Sequence, residues 1–527
     1  MVQRIMNKYI MRSVKIIIVS FVMILLAVFS VLVNVQADEI MTGTVDVSDQ
    51  VIQAGGFPES KEMPESGEIL RYASSEASDI DMYNEIAGKL AIAAAEWGGS
   101  AGHIRVDVSS YKIPVSKVSR LVSTVLNLCP ECFMVENDKC DYSYNSSDYI
   151  TEIKYRVDAA YNKEDADRFN ETADKILSAV DPVWTDLQKI IYVHDYLVTH
   201  IDYNTSQTKY NAFNAIVEGD AVCQGYALAY EYLLNRIDDD FDCRIVTSDA
   251  MKHAWNIVTL NGSRYYVDAT WDDPLDMYKL YNSYNNFMVS QGRLHTNHTG
   301  TDWLNVYGEK LYDNVTTSDT YDSLPWAEMH SAMPMFGNTG FYYKGGSPMV
   351  LYAYDFAGGR STEISSYDGV WKIWNGSGSW QGCYGSIVRY GNGLIITKPR
   401  EIMLLEQNGD VIKTYDIETK TGDIYGGYIE GTKLTYDVYT APQPSKGSYI
   451  GRYSIELDGI IAKVMGDVTG DGVVAMGDVV KVARAVAGNI ILTEDEKKAA
   501  DVTGDNVIAM GDVVKIARYV AGSVKEL

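Results

Sequence analysis

A cysteine, a histidine and an aspartate in the middle of the chain have the types that build a nucleophilic site. Cys223 precedes a run, Gln224 to Arg236, in which apolar residues recur at helical spacing. The run predicts a helix with Cys223 at its N-terminus, where unpaired N–H groups and the helix dipole stabilise an anion such as a thiolate. The alternative is a small buried cysteine that only begins a core helix.

The histidine and the aspartate lie on a predicted hairpin. Two runs rich in β-forming residues flank the Asn-Gly pair at 261–262, which is a strong signal for a two-residue turn. If Leu260 faces Ser263 across that turn, Asp268 shares a sheet face with His253 at a diagonal position that a long side chain can bridge. The three residues would then supply a nucleophile, a base and a group that orients the base.

The motifs around these residues are distinctive. They read Gly-x-x-x-Cys-x-Gly-Tyr-Ala, then His-Ala-Trp-Asn, then Val-Asp-Ala-Thr-Trp-Asp-Asp. In this order, and over roughly Asp181 to Gly300, the chain resembles the bacterial transglutaminase-like superfamily. The resemblance implies an α+β catalytic domain of papain-like fold, with Cys223, His253 and Asp268 as its triad. It also implies acyl-enzyme chemistry on peptide or glutamine carboxamide bonds.

Fold resemblance does not decide the reaction type. An extracellular site is exposed to water, which favours peptidase-like hydrolysis of a protein or peptide substrate. The alternatives are a protein-crosslinking transglutaminase and a catalytically inert accessory protein that binds carbohydrate or protein. His194-Asp195 competes with His253 as a base, but such a pair on a helix is more often structural. Asp272 and Asp273 could bind substrate, although capping of the strand end and its loop is favoured.

An internal repeat occupies the last part of the sequence. A loop from Asp467 to Asp478 returns as Asp501 to Asp512, and each copy is followed by a helix-forming run. Oxygen-bearing side chains at loop positions 1, 3, 5 and 12, with a carbonyl at position 7, fit calcium. The predicted ligands are Asp467, Thr469, Asp471, Val473, Asp478, Asp501, Thr503, Asp505, Val507 and Asp512.

This duplicated loop and helix resembles a type I dockerin over Gly466 to Gly522. The resemblance implies two calcium ions and binding to a cohesin module of a scaffoldin, in a cellulosome-type complex that degrades polysaccharide. Ala475 and Ala509 depart from it, because neither offers a ligand at position 9. Because the two copies are nearly identical, we expect cohesin to bind in either of two orientations. The predicted contact residues are Met476, Lys481 and Arg484 in one copy and Met510, Lys515 and Arg518 in the other.

Charge and the first residues indicate an exported protein. The net charge of −26 argues against nucleic acid or an anionic membrane surface as a partner. Four basic residues precede an apolar run, Ile16 to Val35, which ends in small residues suited to signal peptidase. We interpret residues 1–37 as a signal peptide and expect a secreted, extracellular protein on a cell-surface cellulosome. An uncleaved membrane anchor is the alternative.

The chain of 527 residues is too long for one core and is predicted to be multidomain. The divisions are a linker at 38–75, an accessory α+β region at 76–180, the catalytic domain at 181–317, an all-β module at 318–460 and a small all-α calcium-binding dockerin at 461–527. Trp371, Trp374 and Trp380 of the β-module could line a polysaccharide-binding face, but a β-core that uses aromatics for bulk is favoured.

Cysteine usage leaves several possibilities open. Beside Cys223 there are five further cysteines, an odd number that cannot all pair within one chain. Cys129, Cys132 and Cys140 lie close together in sequence, as zinc ligands do. No histidine or fourth cysteine lies near them, so a disulfide or free thiols are favoured over zinc.

Overall fold

The computed structural model describes most of the chain beyond residue 76. The described residues are 41–46, 77–181, 184–238, 241–273, 282–344, 348–368, 371–374, 379–382, 384–430, 432–440, 449–457, 465–469, 474–492, 494–524 and 527. The predicted signal segment and most of the predicted linker lie outside them. No helix within these ranges is long and apolar enough to cross a membrane.

The first part of the fold is an antiparallel sheet with two helices. The strand order is β1-β3-β4-β2. The elements are β1 Met41–Asp46, α1 Ala77–Ala95, β2 His103–Asp107, α2 Val118–Asn127, β3 Val135–Tyr144 and β4 Ile150–Val157. The linker prediction is wrong for residues 41–46, because β1 pairs with β3 along its whole length. Alternating Thr, Val and Met in this segment suit an edge strand once a partner is available.

The second part carries the predicted catalytic residues. Its helices are α3 Lys163–Ser178, α4 Asp186–His200, α5 Cys223–Ile237 and α6 Gln291–Leu294. Its strands are β5 Asp202–Tyr203, β6 Asp220–Ala221, β7 Arg244–Ser248, β8 His253–Leu260, β9 Ser263–Val267 and β10 Leu304–Asn305. The antiparallel sheet has the order β10-β7-β8-β9, and α5 packs against β8.

Local sequence signals explain where these helices begin. Thr185 accepts from the Gln188 N–H, and the Gln188 side chain accepts from the Thr185 N–H, which is a reciprocal cap. Asn162 and Asp165 cap α3 in the same way. Helix α4 therefore begins directly after Thr185, and it ends at His200.

The third part is all-β, as predicted from the alternation of apolar runs and turns. It contains successive antiparallel meanders and one hairpin. The strands are β11 Met335–Phe336, β12 Thr339–Lys344, β13 Met349–Asp355, β14 Arg360–Tyr367, β15 Trp371–Trp374, β16 Ser379–Gly382, β17 Ile387–Tyr390, β18 Gly393–Thr397, β19 Glu401–Leu405, β20 Val411–Asp416, β21 Asp423–Glu430, β22 Lys433–Tyr439 and β23 Tyr449–Glu456.

Trp371 does not belong to an exposed aromatic face. Its ring is fully buried, and its indole N–H donates to the Ile424 carbonyl oxygen at 2.7 Å. It therefore packs in the core of the β-module, as the favoured interpretation predicted. The side chains of Trp374 and Trp380 lie outside the described residues.

Buried apolar side chains of the described residues form one large core, two smaller clusters and a separate core in the repeat region. The large core runs from Tyr83 in α1 through α5 to Tyr425 in the β-module. The repeat region has its own core between α7 Met476–Val486, α8 Glu494–Ala500 and α9 Met510–Val520. The predicted site therefore lies in the continuous core, and the repeat folds around different residues.

Candidate functional site

The first turn of α5 presents Cys223. The N-cap residue, Val222, has no side chain that can accept a hydrogen bond from the helix. The backbone N–H groups around Cys223 are therefore not capped by it. Gly219 turns the chain into this segment at a φ of 63°, where a Cβ would lie 2.9 Å from the His200 carbonyl oxygen. Gly225 allows a close approach, because a Cβ there would lie 2.7 Å from that of Ala221. Close approach of neighbouring atoms therefore explains why glycine occurs at both positions of the cysteine motif.

The hairpin register is the one predicted from the Asn-Gly pair. Leu260 faces Ser263, and Asn261 and Gly262 both adopt positive φ, as a tight two-residue turn requires. His253 opens β8, and Asp268 directly follows β9. The two side chains meet, with His253 Nε2 2.6 Å from Asp268 Oδ2.

Asp268 is held by hydrogen bonds on both oxygens. Its Oδ1 accepts from the backbone N–H groups of Thr270 and Trp271 at 3.0 and 3.1 Å. Its Oδ2 accepts from His253 and also from His298 Nε2, which lies 2.8 Å away. Burial opposes the charged form, but the two histidines outweigh it and hold the pKa of Asp268 well below its usual value. Asp268 is therefore a buried carboxylate.

His253 lies between Asp268 and the thiol. Its imidazole also interacts with the Cys223 side chain, through charge and as a hydrogen-bond partner. Burial disfavours a charged imidazole, yet the interactions with Asp268 and Cys223 outweigh it and raise the pKa of His253 to about 10. The ring is stacked between Trp255 and Trp271, at centroid distances of 5.6 and 5.2 Å. Both indole faces favour a cation between them.

Three other buried thiols have raised pKa values. A hydrogen bond to Cys129 and then burial raise the pKa of Cys132. Burial raises the pKa of Cys140 to about 12 and raises that of Cys243. Cys383 lies outside the described residues. These raised pKa values oppose a thiolate at Cys132, Cys140 and Cys243.

His194 and the two aspartates after the hairpin form a separate buried cluster. His194 Nδ1 lies 3.0 Å from Asp195 Oδ1, and its Nε2 lies 3.1 Å from Asp272 Oδ2. Both ring nitrogens therefore face carboxylates, as expected for a structural pair rather than a base. Asp272 also accepts the Asn286 backbone N–H at 3.0 Å, and Asp273 accepts from the Tyr226 hydroxyl at 2.7 Å. These hydrogen bonds agree with the interpretation that Asp272 and Asp273 cap the strand end and its loop.

Sequence reasoning missed His298. It lies in a loop without periodicity, 30 residues after Asp268, and no motif marks it. Its Nε2, together with His253 Nε2 and Asp268 Oδ2, forms a group within 4.8 Å that in principle suits a divalent metal. Ligands bound to one tetrahedral zinc ion would be roughly 3.3 Å apart. The observed 2.6 and 2.8 Å separations are hydrogen bonds instead.

The repeat region brings its predicted ligands together at the starts of two helices. Asp478 accepts from the N–H groups of Val468, Thr469 and Ala475 at 2.7 to 2.8 Å. In the second copy, Asp512 accepts from Thr503 and Ala509 in the same manner. Thr469 bonds Asp467, and Thr503 bonds Asp501, at 3.4 and 3.5 Å. Positions 1, 3 and 12 thus converge in each loop, whereas Asp471 and Val473 lie outside the described residues.

Residues 465–521 match the family model of the Dockerin type I domain. This segment is a type I dockerin. No curated protein matches the chain. The dockerin binds calcium and attaches the chain to a cohesin in a cellulosome-type complex, which is an extracellular assembly. Asp467 and Asp478, both buried, and Asp501 and Asp512 are among the carboxylates that would hold the two ions.

The two lysines of the predicted cohesin surface also form hydrogen bonds within the dockerin. Lys481 Nζ donates to the Val468 carbonyl oxygen at 3.0 Å and to Glu496 at 2.8 Å, and Lys515 donates to the Val502 carbonyl oxygen. These lysines are partly buried and connect helix to loop, and their contact with cohesin stays a prediction. Arg484 and Arg518 are exposed as predicted.

The exposed apolar residues occur in equivalent pairs on the two dockerin helices. Met476 and Val480 are 55% and 50% exposed, and Met510 and Val514 are 57% and 49% exposed. We expect Val480→Asp or Val514→Asp alone to weaken cohesin binding only a few-fold, because the other helix can replace the altered one. Together they should weaken it by at least ~30-fold. Calorimetric titration measures both, with the exposed Ile491→Asp as the control. Loss of binding from either single change would contradict two interchangeable orientations.

Removal of calcium is expected to unfold the dockerin alone. Its buried carboxylates would repel one another without metal, whereas the large core contains no dockerin residue. A chelator should therefore abolish cohesin binding and shift the dockerin melting transition, while the rate of Cys223 alkylation stays unchanged. Cohesin binding that survives chelation would contradict this.

Proposed function

We propose that the chain is a secreted cysteine enzyme of the transglutaminase-like superfamily, delivered by its dockerin to a cellulosome-type complex. Peptidase-like hydrolysis of peptide or glutamine carboxamide bonds is the favoured reaction. The observation that carries the proposal is the position of His253, which bonds a buried carboxylate through Nε2 and also interacts with the Cys223 side chain. This is the arrangement of a nucleophile, a base and an orienting group.

The reaction follows from these positions. The Cys223 thiolate attacks the carbonyl carbon, and the backbone N–H groups at the start of α5 stabilise the oxyanion. The C–N bond breaks as His253 gives its proton to the leaving amine or ammonia, which leaves a thioester. Water then gives a proton to His253 and attacks the thioester, and the C–S bond breaks to release the acid. Asp268 holds the imidazole in one tautomer throughout.

A cleft lined by Gln224, the residue that follows Cys223, supports an amide-bearing substrate. It has a volume of about 580 Å³ and lies between the turn at Pro130–Cys132 and α5. Gln224, next to Cys223, lines it with a buried Oε1 that has no hydrogen-bond partner among the described residues. A buried acceptor without a partner is costly, and a substrate N–H would satisfy it. Tyr210, whose pKa is raised by burial and by Cys223, lines the same cleft.

The test separates hydrolysis from transfer and from inertness. A library of glutamine-containing peptides is incubated with the full chain, with and without a biotinylated primary amine, and the products are identified by mass spectrometry. We expect cleaved or deamidated peptides that the amine does not suppress and that Cys223→Ala abolishes. Stoichiometric amine incorporation would indicate a crosslinking transglutaminase. Absence of any product, together with slow alkylation of Cys223, would indicate an inert accessory protein.

A further inference from the structure

His298 shares an acceptor with the base of the proposed triad. The His253 and His298 Nε2 atoms lie 2.6 and 2.8 Å from the same atom, Asp268 Oδ2. An ionised carboxylate oxygen only accepts, so both rings must carry hydrogen on Nε2. This leaves the second nitrogen of His253 ready for the thiol proton. Asp268 thereby receives four donors, two on each oxygen, and has no acceptor position left unused.

The ring of His298 is fixed on every side. It is fully buried, with Trp271 at a centroid distance of 4.2 Å and Trp255 edge-on at 5.1 Å. Its Nδ1 lies 2.6 Å from Asn297 Oδ1, and Asn297 donates to Asn286 at 2.7 Å. A side chain held this firmly can keep another group in one orientation.

The Asn297–Asn286 connection continues into the His194 cluster. Asn286 donates its side-chain N–H to Asp272 Oδ1 at 3.1 Å, and Asp272 bonds His194. Asp195, on the other side of His194, accepts from the Tyr284 hydroxyl at 2.9 Å and from the Met333 backbone N–H at 2.7 Å. His298 is thus the point at which a buried network, anchored in α4 and the approach to the β-module, contacts the triad carboxylate.

Burial and the neighbouring Asp268 act in opposite directions on the pKa of His298. Burial lowers the pKa of His298, and the nearby His253 and His295 act in the same direction, although Asp268 opposes them. A second donor on the same oxygen reduces the basicity of Asp268 toward His253. The charged groups that face this cluster are Asp268, Asp272, His253, His295 and the thiol of Cys223.

We propose that His298 is a positioning residue that holds Asp268 in place for His253 and limits how strongly that carboxylate retains the His253 proton. The inference rests on the proposed function of Cys223, His253 and Asp268. Without His298, one lone pair of Asp268 loses its donor, the carboxylate becomes a stronger acceptor for His253, and the imidazolium persists to higher pH.

The experiment measures alkylation of Cys223 by iodoacetamide as a function of pH in the full chain. His298→Phe keeps an aromatic ring between the two tryptophans but removes the donor, and His298→Gln restores an N–H. We expect His298→Phe to raise the alkaline inflection of the rate profile by about one pH unit, the size of one hydrogen bond to an ionised group. His298→Gln should resemble the unaltered protein.

The control is His103→Leu. His103 Nε2 lies 2.8 Å from Asp141 Oδ2 in the first sheet, so the change removes a His–Asp pair from another part of the fold. It should leave the inflection unchanged. A folded His298→Phe protein with an unshifted inflection overturns the positioning role, because a purely structural residue would change only the melting temperature.

Two further outcomes are informative. If His298→Phe does not fold, Asn297→Leu releases the ring from its far side, and a smaller upward shift is expected; an unshifted profile again overturns the proposal. If Cys223 of the unaltered protein reacts no faster than Cys243, the proposed function itself fails. The two failures are therefore distinguishable.

Discussion

Replacement of Asp268 by asparagine is expected to lower the proposed amide hydrolysis by about 10⁴-fold, as for loss of the orienting carboxylate in other triads. Four N–H donors surround the two oxygens of Asp268. An asparagine has one oxygen, so its NH₂ must face either the backbone pair or the histidine pair. If the NH₂ faces His253, the imidazole adopts the tautomer that carries its hydrogen toward Cys223. It then cannot accept the thiol proton.

The measurement is the turnover of the peptide substrate that the library identifies, at saturating concentration. Asp273→Asn is the matched control, because Asp273 lies in the same loop but bonds the Tyr226 hydroxyl. It should retain activity within about ten-fold, since it does not touch the reacting groups. Activity of Asp268→Asn within the same range would remove Asp268 from the triad.

The second large effect is expected on stability. His194→Leu leaves the buried carboxylates of Asp195 and Asp272 without the cation between them. Loss of one partner from a buried ion pair costs about 3–5 kcal/mol. We therefore expect the free energy of unfolding of this part of the fold to fall by about that amount. Alkylation of the fully buried Cys243 at increasing urea concentration measures the opening of this core.

The pH dependence of this effect has a definite sign. Burial opposes charge on His194, but Asp195 and Asp272 outweigh it and raise the pKa of His194 from 6.5 to about 9. A group whose pKa is raised in the folded state contributes its full stabilisation below its unfolded-state pKa. This contribution is lost as the pH rises through the folded-state pKa. The difference between the two proteins should therefore be largest below about pH 6.5 and shrink toward pH 9. For comparison, the partly exposed pair of His103 and Asp141 should contribute at most about 1 kcal/mol to the free energy of unfolding. A pH-independent difference would contradict this account.

Several features of the site followed from local sequence signals. The Asn-Gly turn determines which residues face each other across β8 and β9, because a two-residue loop permits one register. The spacing of apolar residues after Cys223 predicted α5 correctly, and the Thr185 cap explains where α4 begins, since both signals act within a few residues of the chain. The dockerin repeat was predictable for the same reason, as each calcium loop carries its ligands within one short segment.

The sequence by itself determined the order of the parts, the cysteine and histidine positions on their elements, and the dockerin. Only the tertiary structure decided that His298 contacts Asp268, that Asp272 shares His194 with Asp195, that Met41–Asp46 pairs with β3, and that Trp371 is buried. Each of these contacts joins residues that are distant in the chain, and no periodicity or turn signal reports on such a pair. They depend on how the large core packs, because a polar side chain buried there forms hydrogen bonds only with the groups that packing places beside it.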